Sequence, residues 1–182
     1  MSAKRPAPLP VALFALVFLA VAAAQTSPLL DVPFVRQSRA ACGSAAVAMV
    51  MQYWARQRPD LDSAAAAADR ALEALPPSES GVAGEALKDY LQRHGFDAFV
   101  FTADLDDLRG HLAKGRPLLV CFDDAGRGRP LHYAVVVGID DRRILLNDPA
   151  RGKLVHQALD DFKTAWAASD NWALLAVPRR NS

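Results

Sequence analysis

Cysteine is scarce in this chain of 182 residues, which holds only Cys42 and Cys121. Together with the four histidines they fall into no zinc-ligand spacing, so neither a metal nor any other cofactor is expected. A single pair is too few for a disulfide scaffold, although a Cys42–Cys121 bond stays open in an exported domain. Net charge is equally thin, with 21 Lys and Arg against 20 Asp and Glu. A chain so near neutrality lacks the basic footprint of a nucleic-acid or anionic-membrane binder. Internal repeats are missing, and the one biased stretch is the alanine run 64–68, within a helical segment.

Long apolar runs are also missing, with one exception. Lys4 and Arg5 precede Val11 to Ala24, an uninterrupted apolar run of fourteen residues. That length suits the core of a signal peptide and is short for a bilayer span. Ala22 and Ala24 form a small-x-small cleavage pattern, so residues 1–24 are expected to be a signal peptide and Gln25 the mature N-terminus. The protein is therefore expected to be periplasmic or secreted, with an uncleaved membrane anchor as the alternative. The residue directly after the cleavage site is Gln25 and not a cysteine, which argues against a bacterial lipoprotein anchor. Cleavage takes the formal charge from +1 to −1, because Lys4 and Arg5 are the only charges removed. Residues 25–182 are long enough to bury one core without staples and are expected to be one domain.

Along that domain, Leu29 to Val35 is extended, with Pro33 excluding a helix interior. Helices are expected from Cys42 to about Arg56, from Ser63 to Leu75, and from about Glu85 to His94. Asp62 or Ser63 is the candidate cap of the second, and Pro76-Pro77 its stop. The texture then changes. Ala98 to Phe101 reads as a strand, and Asp104 caps a helix ending near Lys114-Gly115. Pro117 to Phe122 is a buried strand, and Asp123 to Pro130 a polar loop. Two apolar runs, His132 to Ile139 and Ile144 to Leu146, flank a charged turn and predict an antiparallel hairpin. Leu159 to Ala167 reads as a helix and Trp172 to Val177 as a strand. Helices first and sheet afterwards define an α+β class with two lobes.

Three separated segments carry chemistry. Cys42 stands at the start of the first helix, where free amides and the helix dipole favour a thiolate. Small neighbours, Ala41, Gly43 and Ser44, leave room for a substrate. A lone cysteine is more often a small core residue, so the case depends on partners. His132 begins an apolar strand directly after a polar loop, at the rim of a sheet, where a base titrating near neutrality can work. His94, His111 and His156 lie in a helix end, a surface-type helix and a polar strand end. Asp148 closes the next strand. A hairpin turning at Asp140–Arg142 sets residues 132 and 148 opposite each other, with Cβ atoms about 4.5–5.5 Å apart. A carboxylate there orients the imidazole; alternatively Asp148-Pro149 only starts a turn. Gln37, five residues before the thiol, can donate its amide to an oxyanion together with the Cys42 N–H.

The segments Val32-Pro33-Phe34-Val35-Arg36-Gln37, Ala41-Cys42-Gly43-Ser44-Ala45-Ala46, His132-Tyr133 with its apolar run, Asn147-Asp148-Pro149-Ala150-Arg151-Gly152 and Phe162-x3-Trp166 together resemble the C39 family of papain-like cysteine peptidases. The likeness spans nearly the whole of 25–182. It implies a papain-like fold, with an N-terminal helical lobe packed on a C-terminal antiparallel sheet. By position it implies Cys42 as nucleophile, His132 as base and acid, Asp148 as orienting residue and Gln37 as oxyanion donor. Family members often carry an acidic residue before the cysteine; Ala41 departs from that. Well-known members sit on export ATPases and remove leaders ending in two glycines. These residues include no nucleotide-binding portion, and a signal peptide sends the chain across the membrane from such precursors, so that specificity is not expected.

The leading expectation is thus an exported cysteine peptidase acting on a peptide or protein substrate, with no nucleic-acid partner and no membrane span after signal cleavage. Two alternatives remain. The acyl-enzyme could pass to an amine or thiol, as in an amidase or acyl transferase, or the fold could serve as a non-catalytic peptide-binding module. A Cys42–Cys121 disulfide would favour the last; Cys121 lies inside an apolar strand while Cys42 opens onto the cleft, which argues against it.

Overall fold

The computed structural model describes residues 27–38, 40–78, 81–124 and 131–179. The expected signal segment 1–24 and the loop residues 125–130 lie outside the described residues.

Helix α1, Cys42–Gln57, is the pillar of the fold. Every residue from Cys42 to Met51 is buried, as expected of a helix apolar all round. Helix α2, Asp62–Ala74, follows a short 3-10 turn at Pro59–Leu61. It lays Ala64, Ala67, Ala68 and Ala71 inward at helical spacing, and these small side chains allow close approach to α1. Helix α3, Gly84–Arg93, buries Leu87, Tyr90 and Leu91, and the Tyr90 hydroxyl donates to Ala67 O at 2.7 Å.

Strand β1, Phe96–Thr102, leads to helix α4, Leu105–Ala113. Asp104 caps α4 as expected, in a capping box with Asp107 (2.8 and 3.1 Å). Strands β2, Leu118–Phe122, and β3, His132–Ile139, are buried at every residue, so both faces are covered. Strand β4, Arg143–Asp148, strand β5, Gly152–Ala158, helix α5, Leu159–Ala167, and strand β6, Trp172–Pro178, complete the chain. The six strands form one antiparallel sheet in the order β1-β6-β2-β3-β4-β5. The α+β, papain-like expectation is therefore met. Among the described residues no helix is long and apolar enough to cross a membrane.

The N-cap position of α2 is Leu61, with no side-chain cap, and not Asp62 or Ser63; two features of the sheet also differ from the sequence reading. Strand β5 was not expected: it is a half-exposed edge whose Gly152, Lys153 and Gln157 dilute the apolar signal, while its backbone pairs along β4. The β3–β4 register is also shifted. The turn closes by Asp140 N–H donating to Arg143 O at 2.9 Å, and the ladder shifts between Val136 and Gly138, leaving Val137 as a bulge. The carbonyl of Val137 accepts instead from Leu30 N–H at 2.8 Å, which fastens the N-terminal strap, residues 27–37, onto the sheet.

Candidate active site

Cys42 is the first residue of α1, and no side chain caps this end of the helix. The first-turn amides are thus left uncapped, and the backbone amides of Tyr133 and Gly43 favour the thiolate. The small neighbours serve packing more than substrate entry. A Cβ on Gly43 would lie 3.2 Å from Leu87 and the Tyr133 ring, and the buried Ser44 hydroxyl donates to Leu75 O at 2.6 Å.

His132 opens β3 and pairs across the ladder with Phe122. The two rings meet edge-on, with centroids 5.5 Å apart and planes at 88°. Phe122 in turn packs on Phe162 (6.1 Å), and Phe162 stacks on Trp166 (5.2 Å). The Phe162-x3-Trp166 motif is thus one helical turn of α5 that backs the imidazole through Phe122.

His132 Nε2 donates to Asp148 Oδ1 at 2.8 Å. The contact forms although the residues are not directly opposite as expected. Val135 pairs with Asn147, so Asp148 falls across from Ala134, two residues along the same face from His132. Such diagonal neighbours lie about 7–8 Å apart, within reach of an imidazole and a carboxylate. Asp148 Oδ1 also accepts from Ala150 N–H (2.9 Å) and Arg151 N–H (3.1 Å). The turn-starting role and the contact with His132 therefore coexist on one oxygen. Oδ2 has no hydrogen-bond partner among the described residues and lies 3.8 Å from Arg151 Nη1. The same guanidinium reaches Asp124 at 2.5 Å.

With Nε2 committed to Asp148, Nδ1 is the nitrogen left for the thiol, and the imidazole and the thiol each favour the other's charged form. All three side chains are buried; Cys42 is 6% exposed, His132 9% and Asp148 0%. Burial disfavours every charge here and is the largest single influence on each group, yet the partners outweigh it. His132 and the amides of Tyr133 and Gly43 hold the Cys42 thiol below its ordinary range. Hydrogen bonds and charges from Asp148 and Cys42 lift the imidazole to about 9. The bond and charge of His132, with the amides of Ala150 and Arg151, hold the Asp148 carboxyl down. The arrangement can carry a thiolate–imidazolium pair at neutral pH, anchored by a carboxylate.

Gln37 is half-buried on the strap, and its N–H donates to Pro149 O at 3.1 Å, tying it to the turn after Asp148. The remaining histidines lie elsewhere. His94 contacts Tyr90 O through Nδ1 (2.7 Å), His111 packs near Phe101, and His156 sits beside Arg143 on β5. Cys121 is buried within β2 opposite Tyr133, and no disulfide joins it to Cys42. No group of three or more His, Cys, Asp or Glu among the described residues could hold a metal.

Sequence reasoning missed two polar contributors. Asn147 entered only as part of a motif, yet it is fully buried and bonded at both ends of its amide. Its signal was an amide at the end of an otherwise apolar strand. Arg151 too entered only with that motif, since its link from Asp124 to the Asp148 turn depends on tertiary placement.

Residues 29–174 match the model of the Peptidase_C39 like family. No curated protein matches the chain. Among solved structures, a double glycine motif protease from an AMS/PCAT transporter, in complex with its leader peptide, superposes with a TM-score of 0.62. It is 19% identical, over 83% of this chain and 94% of that one. The peptidase domain of Streptococcus ComA, a bifunctional ABC transporter involved in quorum sensing, gives 0.58 at 22% identity, over 80% and 98%. A protein described as a C39-like peptidase from Bacillus anthracis gives 0.62 at 16% identity, over 86% and 99%. At these identities the likeness is one of fold.

Proposed function

Since the chain belongs to the Peptidase_C39 like family, a family of cysteine peptidases, we propose that it is an exported enzyme that cleaves a peptide bond with Cys42, His132, Asp148 and Gln37. The buried His132–Asp148 hydrogen bond, with the Cys42 thiol held below its ordinary range by the same imidazole, carries this reading. It supplies a nucleophile, a base and an orienting group in one line.

In this mechanism the Cys42 thiolate attacks the scissile carbonyl carbon. The oxyanion that forms accepts hydrogen bonds from the Gln37 amide and the Cys42 N–H. Imidazolium His132 gives its Nδ1 proton to the leaving amine, and the C–N bond breaks to leave a thioester on Cys42. His132, now neutral, takes a proton from water as it attacks the thioester. Collapse releases the carboxylate product and restores the ion pair. Asp148 keeps Nε2 protonated throughout and stabilises the imidazolium. The substrate is a peptide or protein; the leader peptide bound by the AMS/PCAT protease supports a peptide substrate. The double-glycine specificity is not carried over, because the Lys4-Arg5 and Val11–Ala24 pattern supports a domain, residues 25–182, released beyond the membrane.

The test is iodoacetamide labelling of the unreduced protein followed by intact mass, with Cys42→Ala and His132→Ala alongside. The expected result is one fast adduct on Cys42 near neutral pH, lost in Cys42→Ala and slowed in His132→Ala. A thiol that reacts no faster than an ordinary one, whatever stands at 132, sinks the catalytic reading. The mass of the protein recovered outside the cell checks the signal peptide, with loss of residues 1–24 expected.

A further inference from the structure

Asn147 precedes Asp148 on β4, and successive residues of a strand face opposite sides. Its amide is therefore directed away from His132. Leaving a buried polar group unpaired is costly, and both ends of this fully buried side chain are used. Nδ2 donates to Val32 O at 2.9 Å, and Oδ1 accepts from Leu154 N–H at 3.1 Å.

The two partners belong to different segments. Leu154 lies where β5 leaves the ladder. Leu146 pairs with Val155 and Asp148 with Gly152, so two residues of β5 face Asn147 alone. Leu154 there adopts φ 57°, a left-handed conformation that leucine seldom enters, and its N–H is met by the Asn147 side chain. Val32 lies mid-strap, five residues before Gln37. The strap is tied upstream by Leu30 N–H to Val137 O (2.8 Å) and downstream by Gln37 N–H to Pro149 O (3.1 Å). The bond from Asn147 joins its middle to β4, beside the Asp148 turn.

We propose that Asn147 is a positioning residue for the oxyanion donor. By clipping the strap to β4 it sets where Gln37 stands relative to the Cys42 sulfur. This rests on the peptidase reading, in which Gln37 donates to the oxyanion. Without the clip, Gln37 keeps its own backbone tie but loses the fixed approach of the five residues that lead to it. The thiolate–imidazolium pair is untouched, because Asp148 is held by His132 and by the amides of Ala150 and Arg151.

Two probes separate these effects. Iodoacetamide forms a C–S bond and expels iodide without an oxyanion. p-Nitrophenyl acetate acylates the thiolate through a tetrahedral oxyanion, giving a thioester and releasing p-nitrophenolate. Asn147→Ala is expected to slow the p-nitrophenolate burst by about 10- to 100-fold, the scale of a 1 Å misplacement, with the alkylation rate and its pH profile retained. In a Gln37→Ala background the same change should cost less than about twofold, since both act through one group. Alkylation falling in parallel with acylation, full additivity with Gln37→Ala, or an unchanged burst overturns the proposal. A wild-type burst no faster than that of Cys42→Ala removes the peptidase reading itself, and the proposal with it.

Discussion

Replacing Asp148 by Asn removes a charge while keeping most of the contacts. An amide oxygen in place of Oδ1 can still accept from His132 Nε2 and from the amides of Ala150 and Arg151. The new amide nitrogen takes the place of Oδ2, which has no hydrogen-bond partner among the described residues to lose. A unit charge pair about 4 Å apart at an effective dielectric near 20 is worth about 4 kcal/mol. The rise of His132 from 6.5 to about 9 corresponds to on the order of 3 kcal/mol, part of it owed to Cys42. The first is an upper bound, and the second less the Cys42 share leaves a loss of about 2–3 kcal/mol, roughly 30- to 150-fold in the ion-pair population at neutral pH.

The signs are set by burial. Without the carboxylate, burial drives the imidazole below its ordinary value and, with no cation beside it, the thiol above its own. Iodoacetamide rates for Asp148→Asn should thus fall by that factor near neutrality. They should converge on the wild-type rate at about pH 10 and above, where the thiolate forms without help. Equal rates at neutral pH, or a loss by the same factor at every pH, would refute the reasoning, the second by indicating a disturbed fold.

Alkylation and peptide hydrolysis should part company in alkali. Alkylation needs only the thiolate and holds above pH 9, whereas hydrolysis needs the imidazolium proton and falls as pH passes the His132 value of about 9; parallel profiles would argue against His132 as the acid. Gly43→Ala should destabilise the fold by about 1–2 kcal/mol in urea unfolding, because its Cβ meets Leu87 and Tyr133 at 3.2 Å in a closed contact. A gain in stability would mean that α3 and β3 yield easily and the helix propensity of alanine prevails.

Most elements were legible because each is set by a local rule. The cap of α4 needs only Asp104 and Asp107 three residues apart. The buried strands β2 and β3 announce themselves by continuous apolar runs. Strand β5 was not legible, since an edge half in water does not need an apolar pattern, only a neighbour's backbone. The candidate site was legible as residue types: a cysteine opening a helix, a histidine opening a strand, an aspartate closing the next one.

The sequence by itself therefore determined the identities of these groups and the elements that carry them, through periodicity, caps and turn residues that act over a few positions. Tertiary structure alone decided how they meet. The bulge at Val137 moved the register so that His132 and Asp148 touch along a diagonal. Burial and the amides of Gly43, Tyr133, Ala150 and Arg151 set which groups carry charge. Asn147 found its partners in the strap and in β5, segments far from it in one case and folded back in the other. A bulge, a register and a desolvated charge depend on the whole sheet at once, and no window of sequence contains them.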